Sequence, residues 1–306
     1  MSSILLVHRG ALGDFLMAWP SMLALHEHFA DKNVYWAGTN DRVHWLRPLG
    51  VEPFSLEMRR GMDALFLREQ WPMELGDARV FWFVLDTNPP VRTHSRLHVL
   101  RAFSGSERGP AMSPRDAYAQ GLRELGIAWN SDWPAVWRGF FGSWRGGEGR
   151  EGGREILLFP GAGHPAKQWP LVQFFELARW LQEQGHEVRF ILGPAELDRR
   201  MGVSDYPVSC PDSLEVLREL LLSARLVVGN DSGPMHLAGM LGVPGLALFG
   251  PALEAQWSPV GLRTIGLELA CRPCTRTGRI SCADPRCIQG IPQNRVRREV
   301  AAFLTR

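Results

Sequence analysis

Lysine is almost missing from this chain of 306 residues. Of its 34 basic residues, only Lys32 and Lys167 are lysines, and all the others are arginines. Lys32 stands in a polar Asp-Lys-Asn turn, whereas Lys167 stands in a turn rich in glycine and proline. A lysine supplies a compact ammonium group that the planar guanidinium of arginine does not copy. Lys167 is therefore a candidate ligand-binding residue. The alternative is that this lysine remains by chance and has no function.

Long apolar runs and a large net charge are also lacking. No apolar run reaches the roughly 18 residues that a membrane-spanning helix needs. The net charge of +2 is too small to indicate a nucleic acid partner. The opening residues, MSSILLVHRG, lack the charged region of a secretory signal and are typical of a first strand. We therefore expect a cytoplasmic globular protein that does not bind nucleic acid.

Strands alternate with helices in both halves of the chain, and this alternation predicts two doubly wound α/β domains. In the first half we predict strands at 4–7, 34–36 and 79–85 and helices at 15–29, 41–48, 91–103 and 114–125. In the second half we predict strands at 156–159, 188–192, 226–228 and 245–249 and helices at 171–184, 213–224, 235–241 and 296–304. A glycine-rich stretch separates the halves. The predicted organisation is a domain at 1–145, a linker at 146–154, a domain at 155–290 and a final helical segment at 291–306.

Ligands of open α/β sheets bind outside the carboxyl ends of the strands. Three turns of the second half qualify, at 161–167, 193–196 and 230–233. The turn Asn230 to Gly233 precedes a short helix whose amino end suits an anion, although a capped βαβ unit without a ligand has the same pattern. Glu196 could accept hydrogen bonds from a ribose, or it could simply favour the first turn of its helix.

Other polar residues have both a functional and a structural interpretation. Asp14 follows the first strand, where a helix cap is also expected. His236 lies one turn into a helix, where histidines are commonly packed or capping residues. The predicted helix 91–103 is basic and could bind an acidic substrate or form a solvated face. Its candidate binding residues are Arg92, Arg96 and Arg101.

Four cysteines form the pattern C-x2-C-x7-C-x4-C near the end of the chain. They are Cys271, Cys274, Cys282 and Cys287. The first pair has the spacing of a zinc ribbon, but the second pair does not. Disulfides are less expected in the cytoplasm. The loop could hold a structural metal, and free thiols are the alternative.

Four stretches of the sequence resemble bacterial ADP-heptose–lipopolysaccharide heptosyltransferases, glycosyltransferase family nine. They are ILLVHRGALGDFLMAWPSMLAL, LLFPGAGHPAKQWPLVQFFELA, FILGPAELD and VVGNDSGPMHLAGMLGVPGLALFGP. The resemblance spans both halves in the right order. It departs from the family pattern in the turn before Lys167, where Ala162 and Gly163 replace the frequent hydroxyl residues.

This resemblance implies a GT-B fold, with two Rossmann-like parallel-sheet domains facing a central cleft and the last helix packing back on the first domain. It also implies an inverting enzyme that needs no cofactor and no catalytic metal. By motif match, Asp14 would be the general base beside Gly13 at the acceptor site. Lys167 would contact the donor phosphates and Glu196 the ribose. Asp231, Ser232 and Gly233 would contact the diphosphate and sugar, with His236 nearby.

The expected activity is transfer of a heptose from ADP-heptose to a lipopolysaccharide inner-core precursor at the inner membrane surface, where the enzyme would be peripheral. A GT-B nucleotide-sugar 2-epimerase is an alternative, and it would need no separate acceptor site. A nucleotide-binding module without turnover is a second alternative. Donor transfer and product analysis separate the three.

Overall fold

The computed structural model describes residues 3–67, 69–85, 94–103, 112–142, 155–203, 205–274, 280 and 282–305. The chain divides into two compact units, Met1–Trp133 and Pro134–Arg306. Each unit contains one sheet whose strands alternate with helices. The two α/β units agree with the predicted fold class.

The first unit carries five strands and three α-helices within the described residues. In chain order they are β1 (Ile4–His8), α1 (Leu12–His28), β2 (Val34–Ala37), β3 (Glu52–Pro53), α2 (Leu56–Leu67), β4 (Arg79–Val84), β5 (Leu97–Arg101) and α3 (Pro114–Glu124). Short 3-10 turns at Asn40–Trp45, Arg47–Leu49 and Met73–Leu75 connect them. The strands are parallel, in the order β3-β2-β1-β4-β5. Strand β1 is central and fully buried, as expected for a parallel strand covered on both faces.

The second unit begins with α4 (Trp133–Phe141), which straddles the boundary. Then follow β6 (Glu155–Phe159), α5 (Leu171–Glu183), β7 (Glu187–Ile191), α6 (Pro194–Asp198), β8 (Val208–Ser209), α7 (Leu214–Ser223), β9 (Leu226–Asn230), α8 (Gly233–Met240), β10 (Gly245–Phe249), α9 (Glu254–Trp257), β11 (Arg263–Gly266), α10 (Arg286–Gln289) and α11 (Gln293–Leu304). Across the described strands the sheet order is β11-β10-β9-β6-β7-β8, all parallel.

The core of the second unit forms where apolar helix faces cover this sheet. Phe174, Leu177 and Leu181 recur at helical spacing in α5 and are fully buried. They pack with the apolar side chains of β6 and β9, such as Leu158 and Val228. This packing fixes the carboxyl ends of the central strands and therefore the turns that follow them.

The prediction of a basic helix at 91–103 was wrong. Residues 97–101 form β5, in parallel register with β4 from Val80↔Leu97 to Val84↔Arg101. The side chains alternate as a strand requires: Leu97 and Val99 pack against one core cluster, whereas the His98 ring on the other face stacks on Phe81 with centroids 4.8 Å apart. Residues 91–93 lie outside the described part.

Two further expectations concern the borders of the second unit. The first compact unit ends at Trp133, before the predicted boundary at 145, and the predicted linker 146–154 lies outside the described residues. The final helix was expected to pack back on the first domain. Within the second unit, its apolar residues Val296 and Val300 are buried in the core, where α11 contacts α5 and β10, and packing on the first domain stays a prediction. Within the described chain, no helix combines the length and apolar character needed to cross a bilayer.

Candidate functional site

The three predicted turns of the second unit follow three neighbouring strands. Strands β7, β6 and β9 are consecutive in the sheet, and the chain passes from β6 to β7 on one side and to β9 on the other. The sheet therefore has a topological switch point between β6 and β9, where ligands of doubly wound folds bind. The turns at 161–167, 193–196 and 230–233 all lie at this carboxyl edge.

Lys167 and Asp231 meet across this switch point. The Lys167 Nζ lies 2.7 Å from the Asp231 Oδ2, which joins residues 64 positions apart. The Asp231 side chain is only 6% exposed, whereas that of Lys167 is 22% exposed. A buried carboxylate needs such a partner, since an unpaired charge there would be costly. The ammonium group thus stands at the partly open end of the pair.

Asn230 locks the two turns together, and sequence reasoning assigned it no role. Its side chain is fully buried at the end of β9. The Nδ2 donates to the Pro160 carbonyl at 2.7 Å, and the Oδ1 accepts from the Trp169 N–H at 2.9 Å. Both hydrogen bonds reach the backbone on either side of the turn 161–167, so Asn230 fixes the position of the segment that carries Lys167. The signal in the sequence was a polar residue at the end of a wholly apolar strand.

Glu196 occupies the third position of α6 and is buried. Its Oε2 accepts the N–H of Gly193 at 3.0 Å, so the carboxylate closes the first turn of the helix and is not the exposed first-turn acid considered from the sequence. A Cβ added at Gly161 would lie 2.3 Å from the Glu196 carboxyl carbon and from its Oε1. Only glycine fits at 161, because the carboxylate is pressed against that backbone. The second oxygen, Oε1, therefore lies beside the same turn that leads to Lys167.

The turn after β9 opens helix α8. Ser232 is the N-cap residue, and α8 begins at Gly233 with proline in its first turn. Among the described residues, the Ser232 Oγ is one of the buried polar atoms that have no hydrogen-bond partner. His236 is buried one turn further on, and its backbone N–H donates to the Ser232 carbonyl at 3.3 Å. A hydroxyl and a helix start suit a phosphate group.

Asp14 lies in the first unit, after the central strand β1. It occupies the third position of α1, not the N-cap position that the sequence suggested, which Ala11 occupies. Its Oδ2 accepts the Ala11 N–H at 3.0 Å, so the carboxylate closes the first turn of the helix. Asp14 is only partly buried, and so is Gly13 beside it. The carboxylate lies beyond the carboxyl end of β1.

Arg42 lies near Asp14, and the sequence analysis assigned it no role. It is 8% exposed and pairs with Asp41, and its guanidinium lies 5.8 Å from the Phe15 ring centre. Burial lowers the pKa of Arg42, while the charges of Asp41 and Asp14 raise it. Arg42 thus places a positive charge near the Asp14 carboxylate.

Two of the arginines proposed for acceptor binding, Arg96 and Arg101, lie at opposite ends of strand β5. Arg96 precedes β5 at the amino edge, where its Nη1 donates to the Gly76 carbonyl at 2.9 Å and lies 3.4 Å from the Asp77 carboxylate. Arg101 ends β5 at the carboxyl edge and is exposed. Asp14 belongs to the carboxyl edge, so the structure favours Arg101 and disfavours Arg96. Arg92 lies outside the described residues.

The cysteine loop gives no support to the predicted structural metal. Cys271, Cys274, Cys282 and Cys287 are free thiols. Burial, together with the neighbouring cysteines, raises the pKa of the Cys274 thiol, and burial also raises the pKa of Cys287. In the described part of the chain, no three histidine, cysteine or acidic side chains are placed to hold a metal ion together. Residues 275–279 and 281 of this loop lie outside that part.

The two units have polar turns at the carboxyl edges of doubly wound parallel sheets, and this defines the class of Rossmann-like nucleotide-binding folds. Residues 147–285 match the sequence profile described as "Glycosyltransferase family 9 (heptosyltransferase)". The match includes three of the four stretches that carry the resemblance, and it confirms the predicted resemblance to this family over residues 147–285.

Relatives and solved structures agree with this assignment. The chain is 30% identical over 138 residues to lipooligosaccharide heptosyltransferase 2 of Campylobacter jejuni, and this match covers 40% of the chain and 43% of that protein. It is 31% identical over 128 residues to lipopolysaccharide heptosyltransferase 1 of Pseudomonas aeruginosa, covering 40% and 36%. The matches thus span less than half of these curated relatives.

The whole fold is similar to the solved E. coli ADP-heptose lps heptosyltransferase II. The TM-score is 0.66 at 18% identity, and the match covers 99% of this chain and 98% of that chain. At this identity the likeness concerns the fold alone. It confirms the predicted fold class, the GT-B architecture of two Rossmann-like domains.

Proposed function

We propose that this chain is an inverting glycosyltransferase that moves a heptose from ADP-heptose to a lipopolysaccharide inner-core precursor. The observation that carries the proposal is the Lys167–Asp231 pair at the switch point of the segment that matches family 9. Glu196 and the start of α8 lie on the turns beside that pair. Together these turns offer a cation, a hydroxyl and a carboxylate to a nucleoside diphosphate.

The donor would be held through its diphosphate and its ribose. The ammonium of Lys167 is the partly exposed member of its pair, so it can reach a phosphate while Asp231 keeps it in place. The Ser232 hydroxyl and the first turn of α8 at Gly233 would donate to the same phosphates. The free oxygen of Glu196 would accept hydrogen bonds from ribose hydroxyls, and His236 would border the site. Asp231 would also accept hydrogen bonds from the sugar.

The transfer step needs one base and one stabilised leaving group. Asp14 would take the proton of the acceptor hydroxyl as that oxygen attacks the anomeric carbon. The bond from that carbon to the phosphate oxygen of ADP breaks, and the configuration inverts. The negative charge that develops on ADP would be stabilised by Lys167 and the amino end of α8. No metal has a role in this mechanism.

The acceptor would be a lipopolysaccharide precursor at the inner membrane surface, and the enzyme would work in the cytoplasm as a peripheral protein on that membrane. The phosphates and acidic sugars of the precursor call for cations near Asp14. Arg101, at the same sheet edge, is the described arginine proposed to meet them, and Gly13 would leave room for the acceptor beside the base. The curated relatives named above act on lipopolysaccharide or lipooligosaccharide, as their names state.

The nucleotide preference tests the donor. Calorimetric titration of the protein with ADP, UDP and GDP should give the smallest Kd for ADP, by about tenfold or more, equivalent to about 1.4 kcal/mol. Preference for UDP would contradict an ADP-heptose donor and indicate another sugar. Equal affinity for all three would show that only the diphosphate is recognised.

Arg101 and Arg96 form a matched pair of variants for the acceptor. Arg101→Ala should raise the acceptor KM by about two- to fivefold at low salt and less at high salt, because an exposed cation is readily screened. Arg96→Ala removes the same charge at the opposite edge of the sheet and should leave the acceptor KM unchanged. ADP affinity should be the same in both variants. Equal KM values for Arg101→Ala and the wild type would exclude Arg101 from acceptor binding.

A further inference from the structure

The turn that carries Asp14 is built on a buried histidine. His8 is the last residue of β1 and is 3% exposed. Its ring stacks on Trp36 of β2 at 6.3 Å and meets the Phe15 ring of α1 edge-on at 6.0 Å. Its Nδ1 accepts the Gly10 N–H at 3.3 Å. An acceptor two residues before the amide reproduces the geometry of an Asx turn.

This histidine is held in its neutral form. Burial, assisted by the positive charge of Arg42, lowers the pKa of His8 to about 4. At neutral pH the ring therefore keeps a lone pair on Nδ1, and its single hydrogen is on Nε2. Protonation would place a hydrogen on Nδ1, so that this nitrogen could no longer accept the Gly10 N–H. The environment thus preserves the acceptor that the turn uses.

Gly10 transmits the position of the ring to the carboxylate. A Cβ at Gly10 would lie 2.8 Å from the His8 Cε1, 2.8 Å from the Asp14 Cβ and 3.0 Å from the Asp14 Oδ2. The Gly10 backbone is therefore wedged between the imidazole and Asp14. The next amide, that of Ala11, donates to Asp14 itself. Two consecutive N–H groups are thus fixed, the first by His8 and the second by Asp14.

We propose that His8 is a positioning residue for Asp14, acting through the Gly10 and Ala11 amides to hold the carboxylate in its working orientation. This inference rests on the proposed role of Asp14 as the general base. His8 itself touches neither substrate. Its contribution is the acceptor atom, and the stacked ring serves to place that atom.

Two substitutions separate the acceptor atom from the ring. His8→Phe keeps an aromatic ring against Trp36 and Phe15 but removes the acceptor. His8→Asn removes the ring but keeps an oxygen that can accept the Gly10 N–H in an Asx turn. We expect His8→Phe to lose about tenfold in kcat, the effect of one lost hydrogen bond of ordinary strength, with the donor KM and ADP Kd unchanged. His8→Asn should have the lower Tm of the two variants and the higher kcat.

The inference predicts that the two variants rank in opposite order by Tm and by kcat, with His8→Asn the less stable and the faster of the two. If His8→Phe keeps kcat within twofold of the wild type, or if kcat follows Tm in both variants, His8 is a packing residue only and the inference is overturned. Asp14→Asn is measured alongside. A near-normal rate in Asp14→Asn would overturn the proposed base, whereas a slow Asp14→Asn beside a normal His8→Phe would overturn the role of His8 alone.

Discussion

Replacement of Asp14 by asparagine should slow sugar transfer by about a hundredfold or more while leaving ADP affinity unchanged. The loss of a general base typically costs about 10²–10⁴ in rate. Asparagine removes the basic carboxylate but has a side chain of the same length that keeps one oxygen. ADP binding is unaffected in our account because the donor turns belong to the other unit. The measurement is kcat for transfer, with the ADP Kd from calorimetry.

The structural role of Asp14 supplies the control for this experiment. The Oδ2 accepts the Ala11 N–H, and the asparagine Oδ1 can accept the same hydrogen bond. A helix-start contact of this kind is worth only about 0.5–2 kcal/mol of stability. Asp14→Asn should therefore keep a Tm close to that of the wild type, whereas Asp14→Ala should lose both Tm and rate. Near-normal turnover in Asp14→Asn would leave Asp14 as a structural residue.

Replacement of Lys167 by alanine should weaken ADP binding by about 1.5–3 kcal/mol, or roughly 10- to 150-fold in Kd. The ammonium group of Lys167 is expected to donate hydrogen bonds to the diphosphate. Lys32 is the other lysine of this chain, and it stands in a polar turn of the first unit. The same substitution leaves the buried Asp231 carboxylate without its partner. A lower Tm is therefore expected in Lys167→Ala as well.

The double variant Lys167→Ala/Asp231→Asn separates ligand binding from stability. It removes the cation and neutralises the carboxylate that depends on it, so its Tm should recover relative to Lys167→Ala. Its ADP affinity should stay low, because the ammonium is still absent. If the double variant binds ADP as tightly as the wild type, Lys167 is a partner of Asp231 and not a phosphate ligand.

In the second unit, the sequence predicted four of the six described strands but neither of the two edge strands, β8 and β11. Its central strands are continuous apolar runs, such as Leu226 to Val228, and each ends at a polar turn. Because the carboxyl ends of parallel strands share one edge, these turns were expected to lie together. The contact between Lys167 and Asp231 could not be predicted in the same way. It depends on β6 and β9 being neighbours and on side-chain directions that only packing determines.

Packing also explains the elements that were missed. Helix α2 contains Gly61, a weak helix former, but a Cβ there would lie 2.7 Å from the Leu75 side chain, so glycine permits close packing of the next turn. Helix α4 is rich in aromatic residues, and its stability comes from burial of Trp137 and from the Arg218 Nε, which donates to the Phe141 carbonyl at 2.7 Å. In segment 91–103 the basic residues recur at every second position from 92 to 98, which is not a helical period, and strand β5 begins near the end of that run at Leu97.

The most direct test of the account is a transfer assay with ADP-heptose and a lipopolysaccharide inner-core precursor, analysed by mass spectrometry and by NMR of the anomeric carbon. We predict one heptose added per ADP released, with the anomeric configuration opposite to that of the donor. Retained configuration would contradict the inverting mechanism. A 2-epimer of the donor sugar, or no turnover in a protein that binds ADP, would contradict the assignment as a glycosyltransferase.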